Sequence, residues 1–212
     1  MSINSSIPDS AISLENIYGN DEKIISYQRN RYNKLSNNFK KIFGTNPEKY
    51  FSSPGRTEIS GNHTDHNHGK VIAASINLDS IAVASPNNGY VVLHSAQYEE
   101  PFILNLDNTD PIEEEKASTL SIIRGIAAGF LKRGFSIGGF NAYISSDVLM
   151  GSGLSSSASV EILIGAIFND FYNHGKVSSE EIAIIGKNAE NKYFGKPCGL
   201  MDQLACISGG II

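Results

Sequence analysis

The stretch with the greatest potential for chemistry is residues 150–159, MGSGLSSSAS. Its glycines allow a tight turn and a close approach of the backbone to a ligand. The serines precede an apolar run, residues 160–168, that predicts a helix. Because the first N–H groups of a helix lack internal partners and its dipole favours anions, the stretch predicts a phosphate-binding loop. It is neither a Walker A loop nor a complete dinucleotide fingerprint. The alternative is an ordinary loop capped by a serine.

A second polar stretch covers residues 53–69, SPGRTEISGNHTDHNHG. Three hypotheses describe it. One is recognition of a polyhydroxylated ligand, because planar Asn, Asp and His side chains can pair with sugar hydroxyls. Another is a metal site, because His63, Asp65, His66 and His68 are competent ligands. The third is a solvated loop with no binding role.

A third stretch covers residues 190–203, ENKYFGKPCGLMDQ. Glu190 closes a predicted helix, and Asp202 follows a Pro-Cys-Gly turn just before another helix-like run. An aspartate at such a place is commonly a helix N-cap. The functional alternative is a general base or an electrostatic partner for a ligand hydroxyl.

Composition restricts the partners and the location of the protein. The 212 residues include 17 basic and 22 acidic side chains with no basic block, which argues against nucleic acid as the main partner. The two cysteines, Cys198 and Cys206, lack a metal-type spacing and are predicted to be reduced thiols. We find neither a signal peptide nor a membrane span. The sequence therefore predicts a cytoplasmic protein, and it leaves the oligomeric state open.

The elements that must position these stretches predict an α+β fold. Residues 1–20 are predicted to be a flexible lead-in, and residues 21–212 a single domain. Helices are predicted at 21–43, where Gly44 supplies the stop, at 120–134, after the phosphate-loop candidate, and at 178–193. Strands are predicted at 50–54, 71–77, 81–85, 90–95, 102–106 and 135–145. Asn88-Gly89 predicts a hairpin turn, and Gly138-Gly139 a bulge or close approach.

Together the three stretches resemble one family, the GHMP small-molecule kinases, and within it the galactokinases. Residues 54–56, PGR, with Gly61 and residues 63–65, HTD, are similar to the galactokinase signature. Residues 151–158, GSGLSSSA, resemble the ATP-phosphate motif of the superfamily. Residues 198–203, CGLMDQ, resemble the galactokinase segment that carries the catalytic aspartate.

The resemblance implies a GHMP-kinase N-terminal domain, with helices packed on a mixed, largely antiparallel sheet. It implies phosphorylation of the anomeric hydroxyl of galactose by ATP and Mg²⁺. Asp202 would accept the proton of the sugar hydroxyl, and Arg56 would neutralise charge on the transferred phosphoryl group. The implied sugar contacts are Asn62, His63, Asp65 and Gly199. The implied nucleotide-binding residues are Gly151, Ser152, Gly153, Leu154, Ser155, Ser156 and Ser157. Ser157 and Glu190 would lie near the magnesium.

The sequence departs from the family pattern in two ways. Glu58, Asn62 and His66 stand where the common signature has Asn, Glu and Tyr, so we expect a different recognition of the sugar periphery. The third glycine-rich motif of the superfamily has no counterpart. We therefore expect the chain to be the N-terminal portion of a longer protein, and to be inactive as a kinase by itself. The alternative function is a non-catalytic sensor of galactose and ATP on the same fold.

Overall fold

A computed structural model describes residues 13–212 of the chain. The helices are α1 Leu14–Tyr18, α2 Glu22–Phe43, α3 Thr119–Lys132, α4 Ser156–Asn173, α5 Ser179–Ala189 and α6 Met201–Ser208. The strands are β1 Lys49–Ser60, β2 Ile72–Asn87, β3 Tyr90–Ser95, β4 Phe102–Asn105 and β5 Gly139–Ser146. Short 3₁₀ turns at Thr64–Asn67 and Glu113–Glu115 and a π-helical turn at Glu190–Phe194 lie between them. The predicted α+β class is confirmed.

Helix α2 has the bounds that its end signals predicted. The Asp21 carboxylate accepts a hydrogen bond from the backbone N–H of Lys23 at 2.8 Å, which caps the start. Gly44 ends the helix with a left-handed φ of 77°. Four apolar residues of α2 recur at spacings of three and four. Ile42 is exposed, and the others are buried: Tyr32, Leu35 and Phe39.

The strands form one five-stranded sheet in the order β1-β2-β5-β3-β4. β3 pairs with β5 in parallel, and the other neighbouring strands pair antiparallel. The sheet is therefore mixed and largely antiparallel, as expected. The long crossover from β3 to β5 contains α3, which packs on the face of the sheet.

The hairpin predicted at residues 88–89 is wrong, because β5 lies between the strands that this turn joins. Asn87 at the end of β2 pairs with Gly139, and β3 pairs with the other edge of β5. Gly139 permits this insertion. A Cβ atom there would lie 2.2 Å from Asn87 Oδ1 and 2.6 Å from the backbone nitrogen of Tyr90. The predicted close approach is thus confirmed at Gly139.

Strand β1 extends through part of the motif that the sequence predicted to be a polar loop. It continues to Ser60, and Pro54 does not interrupt it, because the pairing with β2 shifts register between Pro54 and Arg56. A bulge accommodates a proline, which has no N–H to donate to the ladder. The strands predicted at 71–77 and 81–85 are likewise parts of one strand, β2.

Alternate residues of β2 face two separate cores. Ile81 and Val83 pack with α2 on one face, whereas Ala82 and Ala84 belong to the larger core on the other face. This follows from the period of two along a strand. The larger core also contains apolar residues of α3, α4 and α5. Helix α2 therefore covers one face of the sheet, and the later helices cover the other.

Helix α4 is fixed to the sheet at its start and in its middle. The Ser159 hydroxyl is hydrogen-bonded to the buried Ser80 hydroxyl of β2 at 2.7 Å. Further along, the Phe168 ring contacts Phe130 and Phe140, with centroid distances of 5.6 and 5.2 Å. Each buried phenylalanine contributes about 1.5–3 kcal/mol through removal from water. The loop that precedes α4 is thus attached to a rigid element.

The predicted lead-in at residues 1–20 lies partly outside the described residues, and the described part differs from a free segment. Ser13 caps the short helix α1. The Tyr18 hydroxyl donates a hydrogen bond to Asp79 Oδ2 at 2.5 Å. Burial raises the pKa of this hydroxyl well above its ordinary value. Residues 13–20 are therefore held against the sheet. No helix within residues 13–212 is long and apolar enough to cross a bilayer.

Candidate active site

The glycine- and serine-rich loop enters α4 in a left-handed conformation. Gly151 and Gly153 have φ values of 73° and 76°, and Ser155, the residue before the helix, has φ 58°. Ser155 makes no side-chain capping bond, so the hypothesis of an ordinary serine cap is wrong. The Ser155 side chain therefore accepts no hydrogen bond from the first N–H groups of this 18-residue helix. Such a helix start attracts phosphate.

Asp202 lies in the first turn of α6, after the cap position Leu200, and its carboxylate does not cap the helix. The hypothesis of an N-cap is therefore wrong. Arg56 Nε and Nη2 donate to the two carboxylate oxygens at 2.7 and 2.9 Å, and the Ser155 hydroxyl donates to Oδ2. The bidentate pair fixes the plane of the carboxylate. The side chain of Asp202 is still 21% exposed, on the side of the loop.

Arg56 connects the sugar signature to the phosphate-loop candidate. Its backbone N–H donates to Leu154 O at 3.1 Å, and its Nη1 donates to Gly153 O at 2.6 Å. Its Nη2 also contacts His63 Nε2 at 3.2 Å. All three guanidinium nitrogens therefore have partners, and the side chain is only 5% exposed.

His63 is oriented by Glu58, a residue that replaces an asparagine of the common signature. The Glu58 carboxylate contacts His63 Nδ1 and accepts from the His63 backbone N–H at 2.9 Å. A carboxylate on Nδ1 favours the tautomer in which Nε2 accepts a hydrogen bond. In that tautomer Nε2 accepts a hydrogen bond from Arg56 Nη2, at 3.2 Å. The unusual Glu58 thus belongs to the chain of contacts that leads to Asp202.

Asp65 and Gly199 come together from the second and third stretches. Asp65 Oδ2 accepts from the backbone N–H of Met201 at 2.9 Å, at the start of α6. A Cβ atom on Gly199 would lie 1.8 Å from the same oxygen, so this contact requires glycine. Asp65 therefore positions the helix that carries Asp202.

The remaining polar residues of the second stretch lie at its exposed end. Asn62 is exposed with a left-handed φ of 54°, and His66 contacts His63 O and Asn67. Within residues 13–212, no group of three or more His, Cys, Asp or Glu side chains is arranged to hold a metal ion. The histidine cluster proposed as a metal site is therefore not formed by the described residues.

Ser157 and Glu190 also come together, next to the loop. The Ser157 hydroxyl donates to Glu190 Oε1 at 3.1 Å, and Lys196 Nζ donates to the same oxygen at 2.9 Å. Glu190 is the first residue of the π-helical turn after α5, and it is buried, with 1% of its surface exposed. The hydrogen bond to Glu190 raises the pKa of the Lys196 ammonium group.

A second buried carboxyl group, Glu161, lies behind Glu190. Gln203 Nε2 donates to Glu161 Oε2 at 2.9 Å and to Glu190 Oε2 at 3.1 Å. Within residues 13–212, Glu161 Oε1 and Gln203 Oε1 are buried without a hydrogen-bond partner. Burial, with the nearby Glu190 as a smaller cause, raises the pKa of Glu161 well above its ordinary value. Among the described residues, the Glu161 carboxyl forms no ion pair.

A cavity of about 230 Å³ opens between the loop and Asp202. Its lining residues come from all three stretches: Arg56, Leu149, Gly151, Gly153, Ser155, Ser156, Ser157, Lys196 and Asp202. Lys196, Glu161 and Gln203 were not predicted as site residues. Lys196 could have been noticed as a cation between Glu190 and Asp202, but Glu161 lies on an apolar helix whose sequence gives no such signal.

Comparison with known proteins agrees with this geometry. Residues 37–86 match the galactokinase galactose-binding signature, and residues 121–210 match the N-terminal domain of the GHMP kinases. A galactokinase of Clostridium tetani is 34% identical over 178 residues, 84% of this chain and 45% of that protein. A galactokinase of Pyrococcus furiosus is 35% identical over 157 residues, 74% of this chain and 43% of that protein.

The chain therefore contains the N-terminal domain of a GHMP kinase. Its fold matches that of Lactococcus lactis galactokinase in complex with galactose, with a TM-score of 0.76 and 30% identity over 82% of this chain and 46% of that one. The fold is also shared with Methanococcus jannaschii mevalonate kinase, with a TM-score of 0.65 and 22% identity. That match covers 77% of this chain and 52% of the mevalonate kinase. This GHMP kinase chain spans about half the length of the curated relatives it matches.

Proposed function

We propose that the protein is a sugar kinase of galactokinase type, which transfers the terminal phosphoryl group of ATP to the anomeric hydroxyl of galactose or a close relative. One observation carries the proposal. The sugar signature and the phosphate-loop candidate meet at one carboxylate, Asp202, through the bidentate Arg56 pair and the Ser155 hydroxyl. The 34% identity to a galactokinase supports the choice of substrate.

Asp202 is the proposed acceptor of the sugar proton. As the sugar oxygen bonds to the terminal phosphorus, the bond from phosphorus to the bridging oxygen of ADP breaks. The hydroxyl proton passes to Asp202, so charge and atoms balance. Most of the rate enhancement in such a transfer comes from positioning and charge stabilisation. Arg56 contributes to positioning because its contacts fix the carboxylate plane.

The sugar contacts are proposed to be Asn62, His63, Asp65 and Gly199. His63 contacts Arg56, the ion-pair partner of Asp202. Asp65 lies beside Gly199 and accepts from the backbone N–H of Met201, the residue before Asp202. Asn62 is at the exposed rim and would contact the sugar periphery. An amide offers both a donor and an acceptor there, whereas the glutamate of the common signature only accepts.

The loop Gly151–Ser157 is proposed to hold the phosphates of ATP, and Ser157 with Glu190 to hold Mg²⁺. A hydroxyl and a carboxylate oxygen that already lie 3.1 Å apart suit a hard cation that prefers oxygen ligands. When bound, the cation would neutralise phosphate charge. The free thiols of Cys198 and Cys206 support the predicted cytoplasmic location.

The test presents ATP and a panel of monosaccharides to the full-length protein and measures ADP release and product. We expect galactose or a close epimer to give the highest kcat/KM, with phosphate on the anomeric oxygen. Binding of both ligands without ADP release would instead establish the sensor function.

We also expect the 212 residues alone to show at most trace turnover, because the cavity beside Asp202 is open to water, which weakens charge stabilisation.

A further inference from the structure

Lys196 lies in the candidate active site but has no role in the function proposed above. It lines the same cavity as the Gly151–Ser157 loop and Asp202. Its side chain is 59% exposed, and within residues 13–212 its ammonium group has one partner, Glu190 Oε1 at 2.9 Å. A lysine ammonium has three N–H donors. Lys196 therefore has donors available on the cavity side.

The other cation of the cavity, Arg56, is already engaged. Its Nε, Nη1 and Nη2 all donate to protein atoms, and its side chain is 5% exposed. To bind a phosphate group fully, it would have to release Asp202 or Gly153 O. Releasing Asp202 would free the carboxylate that the reaction needs in a fixed plane. Besides the proposed Mg²⁺, a cation that contacts the polyphosphate would therefore have to come from another side chain of the cavity.

The backbone around Lys196 is fixed, although its side chain is exposed. The N–H groups of Gly195 and Lys196 both donate to Glu190 O, at 3.0 and 3.1 Å. Pro197 follows and restricts the backbone further. The four-carbon side chain can therefore move its ammonium group between Glu190 and the cavity without any change of the fold.

We propose that Lys196 is a phosphate-binding residue, whose ammonium group moves from Glu190 Oε1 to a phosphate oxygen of the nucleotide. This inference rests on the proposed function and assigns a residue to it. This move also frees Glu190 Oε1 from Lys196. The oxygen can then accept from Ser157 and bind the proposed cation. Lys196 thus occupies Glu190 only while the polyphosphate is absent.

The test measures dissociation constants of the full-length protein for ADP and for inorganic tripolyphosphate, which has the charge but no nucleoside. The variants are Lys196→Met, which keeps the length without the charge, and Lys196→Arg, which keeps the charge. Lys192→Met is the matched control, since Lys192 is exposed nearby and does not line the cavity. Thermal unfolding confirms that each variant is folded.

We expect Lys196→Met to weaken both ligands about tenfold, the low end for a charged hydrogen bond. Lys196→Arg should stay within about threefold of the natural protein, and Lys192→Met should not differ from it. Equal affinities for the natural protein and Lys196→Met would overturn the inference and leave the proposed function intact. A natural protein that binds neither ligand would overturn both. Equal losses in the Met and Arg variants would also overturn the inference, since they would show that charge is not what matters.

Discussion

Two aspartates of this domain have partners of the same kinds but differ in exposure. Asp202 accepts from Arg56 and from the Ser155 hydroxyl. Asp79 accepts from Arg31 at 2.6 Å and from the hydroxyls of Tyr18 and Ser52. Both clusters therefore consist of a carboxylate, a guanidinium group and hydroxyl donors.

The two aspartates differ in how accessible their side chains are to solvent and ligands. Both oxygens of each carboxylate accept hydrogen bonds within the protein, but the Asp79 side chain is only 4% exposed. The Asp202 side chain is 21% exposed and lines a cavity. Partners of the same kinds thus surround a closed carboxylate in one place and a candidate active-site carboxylate in the other. Access to a ligand, and not the ion pair, distinguishes them.

The strongest test of this comparison is Asp202→Asn in the full-length protein. The amide keeps the shape of the side chain and removes its basicity, so we expect kcat to fall by about 10²–10⁴-fold. Galactose affinity and thermal stability should change much less. Steady-state kinetics and calorimetry measure these effects. A variant that keeps more than about a tenth of its turnover would contradict a general-base role.

The matching change, Asp79→Asn, should act on stability. Loss of Asp79 leaves the buried Arg31 with only the less buried Asp147, 3.1 Å from its Nε, as a compensating charge, and we expect a cost of up to about 3 kcal/mol. Urea unfolding measures this cost, and turnover of the folded fraction should remain normal. Asp170→Asn is the control, because the Lys49–Asp170 pair is exposed and should contribute at most about 0.5 kcal/mol. Similar losses in the two variants would remove the distinction between buried and exposed pairs.

Glu161 extends the comparison to an acid without a guanidinium partner. Its pKa is raised in the folded state, so the folded protein binds more protons than the unfolded chain above pH 4.5, the ordinary value. The contribution of this proton to the free energy of unfolding is fully present below pH 4.5. As pH rises, the free energy of unfolding falls by at most about 1.4 kcal/mol per pH unit. Glu161→Gln should abolish this dependence.

The measurement is the free energy of unfolding of the natural protein and of Glu161→Gln at pH 5 and pH 8. The variant should gain at least about 1 kcal/mol relative to the natural protein between these conditions. All other titrating groups are shared, so the difference reports Glu161 together with its interaction with Glu190. A difference that does not change with pH would show that Glu161 has an ordinary pKa.

A smaller effect comes from deleting one hydroxyl in each cluster. Tyr18→Phe removes a buried donor to Asp79 and should cost about 1 kcal/mol of stability without a change in kcat. Ser155→Ala removes the donor to Asp202 and should lower kcat several-fold with little change in stability. Paired unfolding and kinetic measurements test both. Loss of activity in Tyr18→Phe would mean that the two clusters are coupled.

The smallest expected effect concerns sugar choice. Asn62→Glu restores the residue of the common signature at the exposed rim of the site. It should change the ratio of kcat/KM for galactose and its epimers a few-fold, as single polar contacts do. Lys192→Met again serves as an exposed control. An unchanged ratio would show that position 62 does not face the sugar.

Sequence patterns determined the features that depend on neighbours along the chain. The helical pattern of residues 21–43 and the glycine at position 44 predicted the extent of α2, because both signals depend on residues within a few turns of one another. The order of the three motifs identified the family and the candidate residues Arg56, Asp202 and the phosphate loop. These signals require no knowledge of distant contacts.

Only the tertiary structure decided which distant groups meet. Arg56 and Asp202 are 146 residues apart in sequence, and no local pattern shows that a bidentate pair joins them. The same holds for β5, which separates the strands on either side of a turn that resembles a hairpin. It holds also for Glu161, whose raised pKa follows from burial among helices that pack together only in the folded chain. Burial and long-range contacts arise from the packing of whole elements, which a short stretch of sequence does not encode.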